Sequence, residues 1–105
     1  MEINQLQQLP FAEIIAYIES HYSYTPSAFK NGTLENSESQ NQGSAKLFFF
    51  ARLQNLSKQD TLLLFSEHYQ AVLDDENGTT HQNIRNFMKD GWEGISFEKV
   101  VLTQK

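Results

Sequence analysis

A short helical pattern over residues 80 to 90 carries the side chains best suited to chemistry in this sequence. His81 and Arg85 lie one turn apart on one border of an apolar stripe, and Asn83 lies on the other border. A helix start offers unpaired backbone N–H groups and a partial positive charge. With the His81 imidazole and the Arg85 guanidinium beside it, such a start could hold a carboxylate or a phosphate.

The same two residues have other interpretations. Arg85 could pair with an acidic residue while His81 packs at the core edge, with their polar atoms bonded to backbone carbonyls. Alternatively, His81 could be the general base of a small hydrolase or transferase, with Ser44 as its nucleophile. No third group that would orient the imidazole can be named, and the common enzyme motifs are absent. The sequence therefore leaves enzymatic activity uncertain and favours a binding protein.

A second group of candidates is rich in amide and hydroxyl side chains and contains no general base. Its members are Tyr24, Thr25 and Asn31 near a predicted hairpin, and Asn41, Gln42, Ser44 and Lys46 in and after a polar loop. Such a set is better suited to binding than to catalysis. Asparagine in a loop also bonds to its own backbone, which gives this group a structural interpretation as well.

Trp92 is a further binding candidate because it lies between two glycines, Gly91 and Gly94, in a predicted turn. An exposed indole there could serve as a recognition platform. The ring could instead close the core, with its N–H group hydrogen-bonded.

Composition argues against several classes of function. The 105 residues include no cysteine and only three histidines, which are far apart, so the sequence predicts neither a disulfide nor a metal site, and no cofactor motif is present. The net charge is −5 and the eight basic residues are scattered, which argues against a nucleic-acid partner. No apolar run is long enough to span a membrane. A hydrophobic content of 39% suffices for a monomer that folds without metal.

Local patterns predict a mainly α single domain over residues 1–105, with a minor β component. The expected architecture is a compact bundle of about four helices, a small β-hairpin and a short extended C-terminal segment. The first elements are a helix from Pro10 to Tyr22, a hairpin over 28 to 35 with a type I′ turn at Asn31-Gly32, and a polar loop over 36 to 44. A helix after Ser44 and a long helix over 58 to 73 follow. The last elements are a helix over 80 to 90, with a Thr79–Gln82 capping box and Gly91 as its C-cap, and an extended tail over 95 to 102. Residues Leu47 to Phe50, taken alone, could also form a buried strand.

Three segments combine asparagine, glycine and aromatic residues in an unusual order. They read Thr25-Pro26-x-x-Phe29-x-Asn31-Gly32, then Asn41-Gln42-Gly43-Ser44-x-Lys46, then His81-Gln82-Asn83-Ile84-Arg85-Asn86-Phe87-Met88-Lys89-x-Gly91-Trp92-x-Gly94-Ile95-x-Phe97. In these segments the chain resembles the HopJ type III effector family, from about Phe11 to Thr103. The resemblance implies a small, mostly helical domain. It also implies a family whose founding member was named as a bacterial effector, with no established reaction.

The family name implies secretion into a host cell, but the N-terminal sequence favours the cytoplasm of the producing bacterium. Type III substrates are generally exported by a flexible leader, whereas Ile3, Leu6 and Leu9 are spaced along one side of a helix. No signal-peptide pattern is present.

The leading functional prediction is a small non-enzymatic interaction or ligand-binding module. Its expected partner is a protein or a small anionic ligand, bound through Lys46, His81, Asn83 and Arg85 together with the loops over 24 to 46. The alternative is the small hydrolase or transferase with His81 as general base.

Overall fold

Helices account for 51% of the 105 residues described by the computed structural model, and five short strands form two small sheets. The helices are α1 (Ile3–Leu6), α2 (Phe11–His21), α3 (Gln42–Leu53), α4 (Lys58–Leu63), α5 (Glu67–Asp74) and α6 (Gln82–Asp90), followed by a 3₁₀ turn (Gly91–Gly94). The strands are β1 (Tyr22–Tyr24), β2 (Phe29–Asn31), β3 (Leu34–Asn36), β4 (Ile95–Phe97) and β5 (Leu102–Gln104). The high helix content agrees with the sequence-based prediction. The predicted bundle of about four helices is wrong in detail, because six helices and two sheets form a mixed α/β fold.

Both sheets are antiparallel and join distant parts of the chain. β2 lies at the centre of the larger sheet, so Asn31 faces Leu34 of β3 on one side and Ile95 of β4 on the other. In the smaller sheet β1 pairs with β5, and Tyr22 lies opposite Gln104. The predicted extended tail is therefore two strands that enter different sheets.

The core is centred on Phe48 of α3, which is fully buried. Its ring lies 5.2 Å from that of Phe65, 4.9 Å from that of Phe87 and 6.3 Å from those of Phe29 and Trp92, between ring centroids. Mostly tilted or edge-on, these contacts connect α3 to the hairpin, to the α4–α5 region and to α6. Residues 47 to 50 are thus helical, as context predicted, and not a strand.

The long helix predicted over 58 to 73 is wrong, because the chain breaks it into α4 and α5. Its start is as predicted: Ser57 accepts a hydrogen bond from the N–H of Asp60 at 3.1 Å. The break lies at Ser66, which has φ 55° and ψ −123°. Redirecting the chain there buries Leu64 and Phe65 and gives the Ser66 hydroxyl a partner in the loop before α2.

The predicted hairpin is present, but its turn is shifted by one residue. The loop between β2 and β3 is Gly32-Thr33, and only Gly32 has a positive φ, of 63°. A type I′ turn needs positive φ at both loop residues, so this loop fits type II′, which takes glycine first. The shift follows from Asn31, which is buried and paired on both sides in the sheet.

The C-terminal end of α6 is as predicted, whereas its N-terminal end is not. Gly91 follows the helix with φ 63°, as expected for a C-cap. The Thr79–Gln82 capping box is absent; instead the Gln82 side chain donates to the carbonyl of Thr79, and His81 is the N-cap residue. None of the helices has both the length and the apolar character needed to cross a bilayer.

Candidate functional site: a pocket at two helix starts

A cavity of about 570 Å³ opens where α3 and α6 begin. We call it the helix-start pocket. Its polar side consists of Asn41, Gly43, Ser44, His68, His81, Gln82 and Asn83. Its apolar side consists of Phe11, Leu34, Phe65 and Ile84. The pocket therefore has one wall suited to polar contacts and one suited to an apolar body.

Both helices that open at this pocket begin with a residue in the left-handed region. Asn41 has φ 52° and ψ 38° before α3, and His81 has φ 55° and ψ 48° before α6. Asparagine and histidine are among the residues that tolerate this conformation best. Neither side chain caps its own helix, so the first N–H groups of both helices donate to no capping side chain.

Four backbone N–H groups at the pocket have no acceptor within the chain. They belong to Gly43, Ser44, Gln82 and Asn83; the first helical bonds start only at the N–H groups of Ala45 and of Ile84. These groups carry the positive ends of the two helix dipoles. The arrangement favours a negatively charged group.

Two histidines lie side by side in the pocket. The rings of His68 and His81 have centroids 5.2 Å apart and are tilted by 40°. The Phe11 ring meets His68 edge-on at 4.9 Å, and the Nδ1 atom of His81 lies 3.3 Å from Oγ1 of Thr80. The structure contains no group of three or more histidine, aspartate or glutamate side chains that could hold a metal ion.

The acidic residue next to this histidine pair is engaged elsewhere. Glu67 accepts a hydrogen bond from the backbone N–H of Phe11 at 2.8 Å, at the start of α2. This bond holds the pKa of Glu67 below its ordinary value. Glu67 does not line the pocket, and its main partner is the N–H at the start of α2, while the neighbouring His68 is a lesser cause of the lowered pKa.

The comparisons with known proteins agree with the motifs around this pocket. The family model for the HopJ type III effector protein matches residues 2–102. The chain belongs to the HopJ type III effector family. It is also similar to the crystal structure of a protein of unknown function, VPA0580, with a TM-score of 0.92 and 42% sequence identity. That similarity covers 100% of this chain and 95% of the other. No curated protein matches the sequence.

Four of the candidate residues named from the sequence of this HopJ family member line the pocket: Asn41, Ser44, His81 and Asn83. Asn31 lies directly behind them, because its Nδ2 donates to the carbonyl O of Asn83 at 2.7 Å and to its Oδ1 at 3.1 Å. The structure thus connects the predicted hairpin to the predicted helix start through buried amides.

Lys46, Tyr24 and Thr25 lie outside the helix-start pocket. The Nζ atom of Lys46 is 2.7 Å from Oε2 of Glu19 and 4.2 Å from the centroid of the Tyr24 ring. The Tyr24 hydroxyl donates to Oε1 of Gln42 at 2.7 Å, and burial raises the pKa of Tyr24. Thr25 donates its backbone N–H to Val101 at 2.8 Å. The charge of Lys46 is therefore paired away from the pocket.

Arg85 also points elsewhere, to the turn that connects α5 and α6. Its guanidinium donates to the carbonyl oxygens of Thr80, of Glu76 at 3.1 Å and of Asp75 at 2.9 Å. Arg85 lines a separate cavity of about 550 Å³ together with Leu73. The bonds to backbone carbonyls match part of the structural interpretation of this residue, but Arg85 forms no ion pair with an acidic residue.

Trp92 packs between α3 and α6 and reaches a carbonyl with its polar edge. Its Nε1 donates to the backbone O of Leu56 at 2.9 Å, and its ring meets Phe87 at 5.0 Å. The Arg52 guanidinium lies 5.3 Å from the ring centroid. The indole is half-buried and its N–H group is bonded, as in a packing anchor.

Two important pocket residues were not among the predicted site residues. His68 is far from the other histidines in sequence, and only the contact of α5 with α6 brings it next to His81. Gly43 stands within the second family motif, and that was the one available signal for it. Its backbone is exposed to the pocket because it has no side chain.

Proposed function

We propose that this protein is a non-enzymatic module that binds a small anionic ligand, a carboxylate or a phosphate, in the helix-start pocket. The observation that carries the proposal is the convergence of two helix starts on one cavity, with the N–H groups of Gly43, Ser44, Gln82 and Asn83 unpaired. Backbone N–H groups at helix starts are established anion donors, and two starts provide more of them than one.

The remaining pocket walls suggest which anions would bind best. His68 and His81 add imidazole N–H donors beside the backbone groups. Across the cavity, Phe11 and Leu34 offer apolar surface, with the buried Phe65 behind them. A ligand with an anionic head and a compact apolar body would contact both walls, and the concave shape favours a small molecule over a protein surface.

A small hydrolase or transferase with His81 as general base is the second candidate. The observation in its favour is that Ser44 and His81 line the same cavity, and that His81 lies 3.3 Å from the hydroxyl of Thr80. Neither ring nitrogen of His81 bonds to a carboxylate that would orient the imidazole. Binding without reaction is therefore the preferred proposal. The cytoplasmic location and the monomeric state predicted from the sequence remain predictions.

The direct test is an amide NMR titration of the full chain with inorganic phosphate and, separately, with benzoate and with acetate. We expect the largest shifts at the N–H groups of Gly43, Ser44, Gln82 and Asn83, and tighter binding of benzoate than of acetate because of the apolar wall. Shifts confined to exposed lysines, or none at millimolar anion, would overturn the proposal.

Matched histidine variants separate the two candidates. His81→Asn keeps a residue that tolerates positive φ, and His21→Asn is the control at a histidine outside the pocket. If the protein is a binding module, His81→Asn should weaken phosphate binding several-fold. The rate of ester hydrolysis should then be the same with wild type and with every variant. Hydrolysis of p-nitrophenyl acetate or phosphate that is lost in both His81→Asn and Ser44→Ala, and kept in His21→Asn, would favour the enzyme.

A further inference from the structure

Asn36 is buried at the end of β3 and bonds to both helices that open at the pocket. Its Oδ1 accepts from Nδ2 of Asn41 at 2.7 Å and from Nδ2 of Asn83 at 3.0 Å. Asn41 precedes α3, and Asn83 lies in the first turn of α6. A single carbonyl oxygen thus joins the two helix starts.

The rest of the network holds this oxygen in place. Asn36 Nδ2 donates back to Oδ1 of Asn83 at 3.2 Å, so the two amides form a reciprocal pair. A third amide, that of Asn31, donates to the same Oδ1 at 3.1 Å. Asn31, Asn36 and Asn83 are only 0%, 3% and 6% exposed. Hydrogen bonds between buried amide side chains are costly to break, so the network resists movement of either helix start.

One detail indicates that the network serves position more than stability. The Oδ1 atom of Asn31 is the one buried side-chain oxygen or nitrogen without a hydrogen-bond partner. An unpaired buried acceptor costs about 1–3 kcal/mol, which an apolar side chain at this position would avoid. The Asn31 amide is nevertheless present, and its donor orients Asn83 at the pocket.

We infer that Asn36 is the positioning residue of the pocket: without lining it, Asn36 sets the two helix starts at the separation at which one anion can contact both. The inference rests on the proposed function for its ligand part only. Asn36 acts through Asn41 and Asn83, which do line the pocket. If the two helix starts could move independently, the N–H donors of each would bind an anion weakly. Helix starts that are already fixed relative to each other need not be ordered when the anion binds.

The test in the ligand-free protein uses Asn41→Gly, which keeps the left-handed conformation and removes the Nδ2 donor. We expect this change at the start of α3 to shift the N–H resonances of Gln82 and Asn83 at the start of α6. In an Asn36→Leu background, Asn41→Gly should no longer shift the N–H resonances of Gln82 and Asn83. Shifts confined to α3, or unchanged transmission in the Asn36→Leu background, would overturn the positioning role. This result does not depend on any ligand.

The ligand arm compares Asn36→Leu with a matched buried polar deletion at Thr61, which does not line the pocket. Thr61→Val removes a fully buried hydroxyl that donates to the carbonyl of Ser57 at 2.8 Å in α4. Both variants should lower the denaturant midpoint, but only Asn36→Leu should weaken phosphate binding, by about tenfold. Equal affinity losses in the two variants would reduce Asn36 to a general stabilising residue. If wild-type protein binds no phosphate while the ligand-free test succeeds, the proposed function fails and the positioning inference stands.

Discussion

Ser66 donates a hydrogen bond from its Oγ to the carbonyl oxygen of Leu9 at 2.7 Å, and it does so from a backbone with φ 55° and ψ −123°. This contact connects the start of α5 to the chain just before α2. The conformation is costly for any residue with a Cβ atom, by about 1–3 kcal/mol. The break between α4 and α5 therefore combines a favourable tertiary bond with local strain.

The strain predicts an unusual order of stability for two variants of Ser66. Ser66→Ala loses the hydrogen bond and keeps the strain, whereas Ser66→Gly loses the bond and relieves the strain. We expect the glycine variant to be the more stable by about 1 kcal/mol in urea unfolding. An alanine variant that equals or exceeds the glycine variant would show that the backbone at Ser66 is not strained.

Two glycines should respond in opposite ways to alanine. Gly32 has φ 63°, and a Cβ atom there would collide with Oδ2 of Asp90, so Gly32→Ala should cost about 1–2 kcal/mol of unfolding free energy. Gly43 is helical, and a Cβ atom there would lie 3.5 Å from Phe11, an ordinary contact. Gly43→Ala should leave stability unchanged or raise it by up to about 1 kcal/mol. Denaturant midpoints of both variants check this, and a tolerated Gly32→Ala would contradict the turn geometry.

Arg85 should matter more for stability than for anion binding. Arg85→Ala removes three donors from the turn before α6 and should destabilise by about 1–2 kcal/mol. Lys89, on the same helix and without an ion pair or side-chain hydrogen bond, is the control, and Lys89→Ala should cost less than about 0.5 kcal/mol. His81→Asn should also cost less than Arg85→Ala, because asparagine accepts positive φ. Equilibrium unfolding measures all three, and a neutral Arg85→Ala would instead favour a ligand-binding role for this arginine.

Glu67 predicts a pH dependence whose sign follows from its lowered pKa. In the folded protein the hydrogen bond from the Phe11 N–H favours the ionised Glu67 carboxylate and lowers its pKa. As the pH falls, Glu67 therefore takes up a proton first in the unfolded chain, near its ordinary pKa of 4.5. The stabilisation is complete above that value and is lost as the pH falls through the lower folded pKa. Glu67→Gln should therefore be less stable than wild type at pH 7, and the difference should shrink in acid.

The matched control for this titration is Glu98→Gln, since Glu98 is an exposed carboxylate without a side-chain hydrogen bond or ion pair. Urea unfolding from pH 7 to pH 3 should show a pH-dependent difference for Glu67→Gln and none for Glu98→Gln. A difference of constant size across this range would mean that the carboxylate charge at Glu67 does not stabilise α2.

Sequence alone was sufficient for the features that depend on neighbouring residues. It predicted the helix after Pro10, the glycine that ends α6 and the serine that starts α4, because capping and turn preferences act within a few residues. It also predicted the hairpin and the helix that contains Phe48. The family could be predicted from the motifs themselves, and the match over residues 2–102 confirms it.

Only the tertiary structure decided the features that join distant segments. The register of the hairpin depends on Asn31, which bonds to Asn83 in another element, and the break at Ser66 depends on Leu9. The candidate site shows the same division: sequence indicated His81 but not its neighbour His68. Such pairs form because burying apolar helix faces fixes where each helix lies, and the polar contacts between helices follow from that packing.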